Sequence, residues 1–188
     1  YYQSFVQQAG NDPALGADLA LTYSKIGTIT DKIGSTEEAI AAHQNARRIL
    51  ERLAADAPRM AEHRRHLALS LNNLALLLGR SGATDEASRA YREASQLQEQ
   101  LVAEAPDDER YRGDLALSHS NLGLLQSQTG EADKAEASFR EAIRVQQNLV
   151  NAAPNDPEHL RNLAASYNNL GAIYAGEQPS QAAECYGK

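Results

Sequence analysis

Apolar residues recur along this chain at mixed three- and four-residue spacings, and glycine and proline interrupt the pattern at regular intervals. Between Asp107 and Pro154 there are two such runs, which contain Leu115, Leu117, Leu122, Leu124 and Leu125, then Ala135, Phe139, Ala142, Ile143, Val145 and Leu149. This spacing places the apolar side chains mostly on one side of an α-helix. Gly130 can close the first helix in the left-handed conformation, and Pro154 prevents the second from continuing. The pattern predicts two antiparallel helices of about 20 residues each and no strand.

The same pattern returns every 48 residues. Leu19–Gly27 reads LALTYSKIG, and its later counterparts read LALSLNNLA, LALSHSNLG and LAASYNNLG. Pro58, Pro106 and Pro154 keep this interval, as do Gly34, Gly82 and Gly130. A fixed period of this size is typical of a solenoid, in which each repeat buries its apolar face against its neighbours.

We expect one solenoid over residues 1–188, with the tail of a preceding second helix at 1–10, repeats at 11–58, 59–106 and 107–154, and a truncated repeat at 155–188. Phe5–Asp12 lines up with the end of a second helix at Leu101–Asp108, so we expect a piece of a longer protein. In the last repeat the turn is one residue shorter if Ala182 and Tyr186 take the positions of Ala135 and Phe139.

Two pairs of residues mark helix starts: Asp12–Pro13 and Asp156–Pro157. Each supplies an Asp cap followed by proline at the first helical position, where its missing N–H costs nothing. First helices are therefore expected to begin at these prolines.

Composition narrows the class of protein. Apolar residues make up 42 % of the chain, and the formal net charge is −7, which argues against a nucleic-acid surface. Cys185 is the single cysteine, so no internal disulfide is possible, which fits a reducing compartment and a cytoplasmic location. No apolar run approaches the ~20 residues of a membrane span, and no signal peptide is visible.

The sequence offers no catalytic or metal-binding arrangement. It contains no glycine-rich phosphate loop, no Ser/Cys–His arrangement and no paired-carboxylate motif. His63 and His66 lie one helical turn apart but lack a third ligand, and packing explains His43 and His119, which fall on aromatic positions. We expect no enzyme activity, no cofactor and no metal.

The repeat resembles the tetratricopeptide repeat family across the whole chain. That family has an aromatic residue and a Leu-Gly pair in its first helix, and alanines around an aromatic residue in its second. The matching positions are Tyr23, Ile26, Gly27, Ala39, His43 and Ala46; Leu71, Leu74, Ala75, Leu78, Ala87, Tyr91 and Ala94; His119, Leu122, Gly123, Ala135, Phe139 and Ala142; and Tyr167, Leu170, Gly171, Tyr174, Ala182 and Tyr186.

The resemblance implies an all-α, right-handed superhelical solenoid of antiparallel helix pairs. The repeat exceeds the usual ~34 residues by about 14, shared as seven residues per helix. Seven residues are about two turns, so each helix lengthens without rotating its buried face. Extended repeats of this kind look like those of bacterial multidomain proteins, often downstream of Ser/Thr kinase domains, although this chain has no kinase motif.

In the family, first helices line a concave wall. Carried over to this sequence, the wall has four columns of equivalent residues: Lys25, Asn73, Asn121 and Asn169; Ser24, Asn72, Ser120 and Asn168; Thr28, Leu76, Leu124 and Ala172; and Lys32, Arg80 and Gln128. Asparagine is unfavourable inside a helix, so its recurrence in one column requires a reason.

An asparagine amide matches the N–H and C=O groups of an extended peptide. Kinesin light chain and related peptide-binding members look similar at this position and hold ligand backbones with such asparagines. Neighbouring helices ~8–10 Å apart and a peptide advancing ~3.3 Å per residue would bring an amide to about every third peptide residue. The alternatives are a hydrogen bond to a neighbouring first helix, or simple solvation.

Two other features of the wall have alternative explanations. Leu76 and Leu124 could contact a peptide or be buried by curvature of the superhelix. Arg64, Arg65 and Arg80 could clamp a carboxylate or form a solvated surface.

The sequence therefore predicts a non-catalytic protein- or peptide-binding scaffold that acts through its concave face. The expected contact residues are Asn73, Asn121, Asn169, Lys25, Asn72, Asn168, Lys32, Arg80, Leu76 and Leu124. The alternative is a self-association or spacer module that assembles as a homo-oligomer through its exposed terminal repeats. RNA binding is disfavoured by the net acidity.

Overall fold

The computed structural model describes residues 12–175 and 178–187, and within them it contains eight α-helices and no strand. The first helices of successive repeats are α1 (Pro13–Lys32), α3 (Ala61–Arg80), α5 (Glu109–Gln128) and α7 (Pro157–Tyr174). The second helices are α2 (Thr36–Asp56), α4 (Thr84–Glu104), α6 (Ala132–Ala152) and α8 (Pro179–Tyr186). The predicted all-α solenoid of helix pairs is confirmed.

The predicted helix starts are present. The Asp12 Oδ1 atom accepts hydrogen bonds from the N–H groups of Ala14, at 2.9 Å, and of Leu15, at 3.3 Å. Asp156 caps α7 in the same way, at 2.8 Å from the N–H of Glu158. These caps satisfy donors that the first turn of a helix otherwise leaves unpaired.

Glycine closes the first helix of each complete repeat. Gly34, Gly82 and Gly130 have φ values of 96°, 89° and 77°. A side chain makes this left-handed conformation costly, which is why glycine recurs at this position.

The chain divides into two compact units, Tyr1–Leu97 and Gln98–Lys188. The boundary falls within α4, so unit 1 holds α1 to α3 with the first part of α4, and unit 2 holds the remainder.

In unit 1 the first helices lie beside each other, as do the second helices. The guanidinium of Arg80 in α3 binds the Asp31 carboxylate in α1, at 2.9 and 3.0 Å. Arg47 in α2 binds Glu93 in α4 at 3.1 Å. Between the two layers lies the apolar core of this unit, which includes Leu50, Leu53, Leu67, Leu71, Leu74, Leu77 and Tyr91.

Unit 2 repeats this arrangement. Ser120 of α5 and Ser166 of α7 are hydrogen bonded at 3.1 Å, which places these first helices side by side. Phe139 of α6 packs in one apolar cluster with Leu170 of the following first helix. The other members of that cluster are Ala135, Tyr174 and Ala182.

A small residue on each first helix lets an aromatic ring of the paired second helix approach. A Cβ atom added to Gly123 would lie 2.9 Å from the Phe139 ring, and one added to Gly171 would lie 2.6 Å from the Tyr186 ring. Gly27 has the same relation to His43, at 2.6 Å. Tyr186 therefore occupies the position of Phe139, as the shorter last turn predicted.

Candidate protein-binding face

Each first helix has a side that points away from its paired second helix. Gly123 faces Phe139, and Asn121 lies about 160° around α5 from Gly123 at 100° per residue. Asn169 and Lys25 precede Gly171 and Gly27 by the same two residues. We call this side the open face. It consists of Leu21, Lys25, Thr28 and Lys32 in α1; Leu69, Asn73, Leu76 and Arg80 in α3; Leu117, Asn121, Leu124 and Gln128 in α5; and Ala165, Asn169 and Ala172 in α7.

The open face of unit 2 combines amides with exposed apolar side chains. On α5, Leu117 is 50 % exposed and Leu124 is 40 % exposed, on either side of Asn121. Asn121 and Asn169 are half-buried. Curvature therefore does not bury Leu124, which leaves its side chain available to a partner.

The asparagine amides are not held by hydrogen bonds between helices. Among the described residues, the side chains of Asn73, Asn121 and Asn169 form no hydrogen bond that would tie them to a neighbouring helix. In the adjacent column, by contrast, Ser120 is bonded to Ser166 of the next first helix. A hydrogen bond to a neighbouring first helix of the same unit therefore does not explain these mid-helix asparagines.

The open face of unit 1 is basic as well as apolar. Asn73 and Leu76 are exposed on α3, and Lys25 and Lys32 are exposed on α1. Arg80, expected to contact a partner, is ion paired with Asp31. Its guanidinium remains about half exposed, so it can still meet a second carboxylate.

Two groups of residues that the sequence suggested as partner contacts do not lie on the open face. Asn72 is buried, which removes it from the surface that a partner could reach, whereas Asn168 in the same column is exposed. Arg64 is buried and Arg65 half-buried beside Glu62, so these arginines form neither an exposed clamp nor a fully solvated surface.

Three contributors to this region, Leu117, Leu69 and Asp31, were not predicted as such from the sequence. Leu117 precedes Asn121 by four residues and Leu124 by seven, a spacing that puts all three on one helix face. The pattern could have identified Leu117, and with it the equivalent Leu69. Asp31 could not be identified, because Arg80 meets it only through the packing of α1 against α3.

Three buried groups with perturbed pKa values, His43, His119 and Tyr91, do not lie on the open face. Burial lowers the pKa of His43, an effect that the Asp31 carboxylate partly opposes. Burial also lowers the pKa of His119 against the opposing charges of Glu99 and Glu141. The pKa of Tyr91 is raised to about 12 by burial. The open face itself offers a partner the hydrogen-bonding groups of its asparagines, the apolar side chains of its leucines and the positive charges of its basic residues.

Within residues 12–175 and 178–187, His, Cys, Asp and Glu side chains form no group of three or more that could hold a metal ion. None of the helices described there is both long and apolar enough to cross a membrane.

Comparisons with known proteins agree with the helical repeat described above. Two family models described as tetratricopeptide repeat match residues 67–107 and 116–149. Comparison with curated protein sequences gave no significant match.

Among solved structures, BtubC (BKLC) from P. vanneervenii matches 93 % of this chain with a TM-score of 0.71 and 24 % identity. The chain spans 61 % of that protein's length. MamA matches 99 % of this chain and 81 % of its own, with a TM-score of 0.57 and 16 % identity. At these identities, the similarity establishes the fold.

Proposed function

This chain belongs to the tetratricopeptide repeat family, and on that premise we propose that it is a non-catalytic scaffold that binds an extended segment of another protein along its open face. Membership of the family supports a protein-interaction scaffold in general. The proposed binding surface and the proposed kind of ligand are inferred from the residues of the open face.

The observation that carries this proposal is the exposure of Leu117 and Leu124 beside Asn121. A solvated helix surface normally carries polar side chains at such positions. Apolar side chains that recur on one surface together with hydrogen-bonding groups are typical of a binding groove.

Each element of the face has a role that follows from its chemistry. In unit 2, the Asn121 and Asn169 amides would each pair with a backbone N–H and C=O of the ligand. Leu117 and Leu124 would cover apolar ligand side chains and exclude water from those hydrogen bonds.

In unit 1, Lys25 and Lys32 would favour acidic ligand residues. Arg80 already binds Asp31, so an acidic ligand residue would have to share or replace that partner. Because these charges are exposed, their contribution would decrease as ionic strength rises.

A peptide selection followed by matched substitutions tests the proposal. The 188-residue chain would be immobilised to select binding peptides from a random library, and their dissociation constants would be measured by isothermal titration calorimetry. For Asn121→Ala we expect about tenfold weaker binding and an unchanged melting temperature, because one or two net hydrogen bonds of ~0.5–1.5 kcal/mol each are lost.

Asn148→Ala is the matched control, since Asn148 is exposed on α6 in the same unit. It should bind the selected peptides like the unaltered chain. Failure to select any peptide, equal affinity of the Asn121→Ala and unaltered chains, or a large loss of melting temperature in Asn121→Ala would each contradict the proposal.

A second candidate function is self-association through the terminal repeats. Ile29 in α1 and Tyr186 in α8 are both exposed, although the equivalent residues of interior repeats are buried. Light scattering over a range of protein concentrations tests this candidate: the mass should rise reversibly with concentration, whereas a constant monomer mass would contradict it.

A further inference from the structure

Unit 1 contains a carboxylate, an imidazole and a guanidinium at positions where the next repeat has none of these groups. The three residues and their counterparts 48 positions later are Asp31 and Gly79, His43 and Tyr91, and Arg80 and Gln128. The helical repeat forms equally well with the second set. The combination of the three groups in unit 1 is therefore not a requirement of the fold.

Arg80 binds Asp31 through only one of its nitrogen atoms. The Nη1 atom donates to both carboxylate oxygens of Asp31, at 2.9 and 3.0 Å. Within the described part of unit 1, the Nε and Nη2 atoms of Arg80 donate no hydrogen bond. A guanidinium binds a carboxylate most strongly through two nitrogens in parallel. A ligand carboxylate can therefore reach an edge of Arg80 that Asp31 does not use.

Asp31 also lies on the side of α1 that meets His43. It follows Gly27 by four residues, which puts both on one side of the helix, and a Cβ atom on Gly27 would lie 2.6 Å from the His43 ring. His43 is 1 % exposed, and its Nδ1 atom has no hydrogen-bond partner among the described residues. The Asp31 charge raises the pKa of His43 against the larger effect of burial. Asp31 thus acts on a buried imidazole while it binds an exposed cation.

We propose that an acidic residue of the ligand takes Arg80 away from Asp31, and that the released Asp31 carboxylate causes His43 to take up a proton. This inference rests on the function proposed above and adds a means of regulation to it. Asp31 is then an internal competitor for the ligand carboxylate. The open face of unit 1 binds acidic segments more tightly as the pH falls.

The direction of the effect follows from the charges. While Arg80 is bound to Asp31, its positive charge offsets the carboxylate, and burial keeps His43 neutral. Loss of that cation leaves a negative charge beside the imidazole, which favours the protonated form. Coupling between two binding events is reciprocal, so protonation of His43 strengthens ligand binding by the same factor. Ligand carboxylates, with an ordinary pKa of about 4, stay ionised above about pH 5.

The other charged groups around His43 do not respond to the ligand. Arg47, one helical turn further along α2, binds Glu51 at 2.5 Å and Glu93 of α4 at 3.1 Å. These ion pairs lie on the second helices, away from the open face. On α3 the charge that changes partner is Arg80 itself. The pair of Arg80 with Asp31 is therefore the connection between the open face and His43.

The connection can be tested without a ligand by following the ring signals of His43 in an NMR pH titration of the 188-residue chain. Arg80→Ala should raise the pKa of His43, because Asp31 loses its cation. Asp31→Asn should lower it, and adding Arg80→Ala to Asp31→Asn should cause no further rise. Lys25→Ala is the control, since it removes an exposed cation of the same face that is not paired with Asp31. It should leave the pKa of His43 unchanged.

Binding is tested with the tightest selected peptide that contains Asp or Glu and no His, by calorimetry at pH 7.5 and 5.5. The unaltered chain should bind about three- to tenfold more tightly at pH 5.5. His43→Phe should bind equally at both pH values, whereas His119→Phe, at the buried histidine of unit 2, should keep the difference. Asp31→Asn should bind more tightly than the unaltered chain at pH 7.5. Circular dichroism would verify that each variant is folded at both pH values.

The possible failures are distinguishable. If no peptide binds the chain, the proposed function is wrong and this inference with it. If peptides bind and Asn121→Ala weakens them, the proposed function stands. In that case, selected peptides that lack acidic residues, equal affinity at the two pH values, or a pKa of His43 that does not respond to Arg80→Ala would each overturn this inference alone.

Discussion

The contact between Gly123 and Phe139 provides a sharp test of how helices pair in this protein. Gly123 lies in the middle of α5, where glycine is a poor helix former, yet a Cβ atom there would lie 2.9 Å from two carbon atoms of the buried Phe139 ring. We predict that Gly123→Ala destabilises the chain relative to the same substitution at Gly113. Gly113 lies in the same helix, but a Cβ atom there would meet nothing within 4 Å.

The magnitude follows from two opposing contributions. Alanine in place of glycine inside a helix stabilises by about 0.5–1 kcal/mol, and both variants gain this. Inserting a methyl group into a packed contact costs about 1–3 kcal/mol, and only Gly123→Ala incurs that cost. The free energies of unfolding should therefore differ by about 1–3 kcal/mol between the two variants, with Gly113→Ala more stable than the unaltered chain.

Thermal unfolding followed by circular dichroism at 222 nm measures the difference. For a chain of this size, 1 kcal/mol changes the melting temperature by about 2–4 °C, so we expect Gly113→Ala to melt about 3–10 °C above Gly123→Ala. Phe139→Leu should cost less stability in the Gly123→Ala background than alone, because the smaller side chain relieves the close contact. Equal melting temperatures for the two alanine variants would refute the reasoning.

Two further predictions concern buried polar groups. Because burial lowers the pKa of His43, the unfolded chain binds a proton near pH 6.5 that the folded chain binds only at lower pH. The free energy of unfolding should therefore fall as the pH is lowered from 7.5 through 6.5 towards the folded pKa. His43→Phe should reduce the difference between the free energies of unfolding measured by urea titration at pH 7.5 and at pH 5.5. A difference as large as that of the unaltered chain would contradict the assignment of this pH dependence to His43. Separately, Ser118→Ala removes the hydroxyl that donates to the buried Gln98 carbonyl oxygen and should cost about 1–3 kcal/mol in urea unfolding. Ser127→Ala, at an exposed position of the same helix, should cost less than about 0.5 kcal/mol, and equal losses would argue against a role for the Ser118 bond.

The sequence predicted the local structure because each repeat specifies its own helices and turns. Gly130 is an example. A helix that ends in the left-handed conformation favours glycine for reasons of backbone geometry alone, and the φ angle of Gly130 is indeed 77°. The 48-residue period likewise aligned Tyr186 with Phe139 despite the shorter last turn.

Properties that depend on neighbouring helices could not be read from the period. Asn72 and Asn73 are adjacent and both polar, yet a 100° turn of the helix buries one and exposes the other. Ile26 has the same place in the pattern as Leu74, yet Ile26 is 45 % exposed and Leu74 is 2 % exposed. The ion pair of Arg80 with Asp31 joins residues 49 positions apart and follows only from packing.

The most direct test of the open face uses the side-chain amide signals of asparagine in ¹⁵N-labelled protein. A selected peptide would be added while the NH₂ resonances are followed by NMR spectroscopy. The account predicts large shifts for Asn121 and Asn169 on the first helices of unit 2, and unchanged signals for Asn148 and Asn151 on α6. Shifts confined to Asn148 and Asn151 would place the ligand on the second-helix layer and contradict the account.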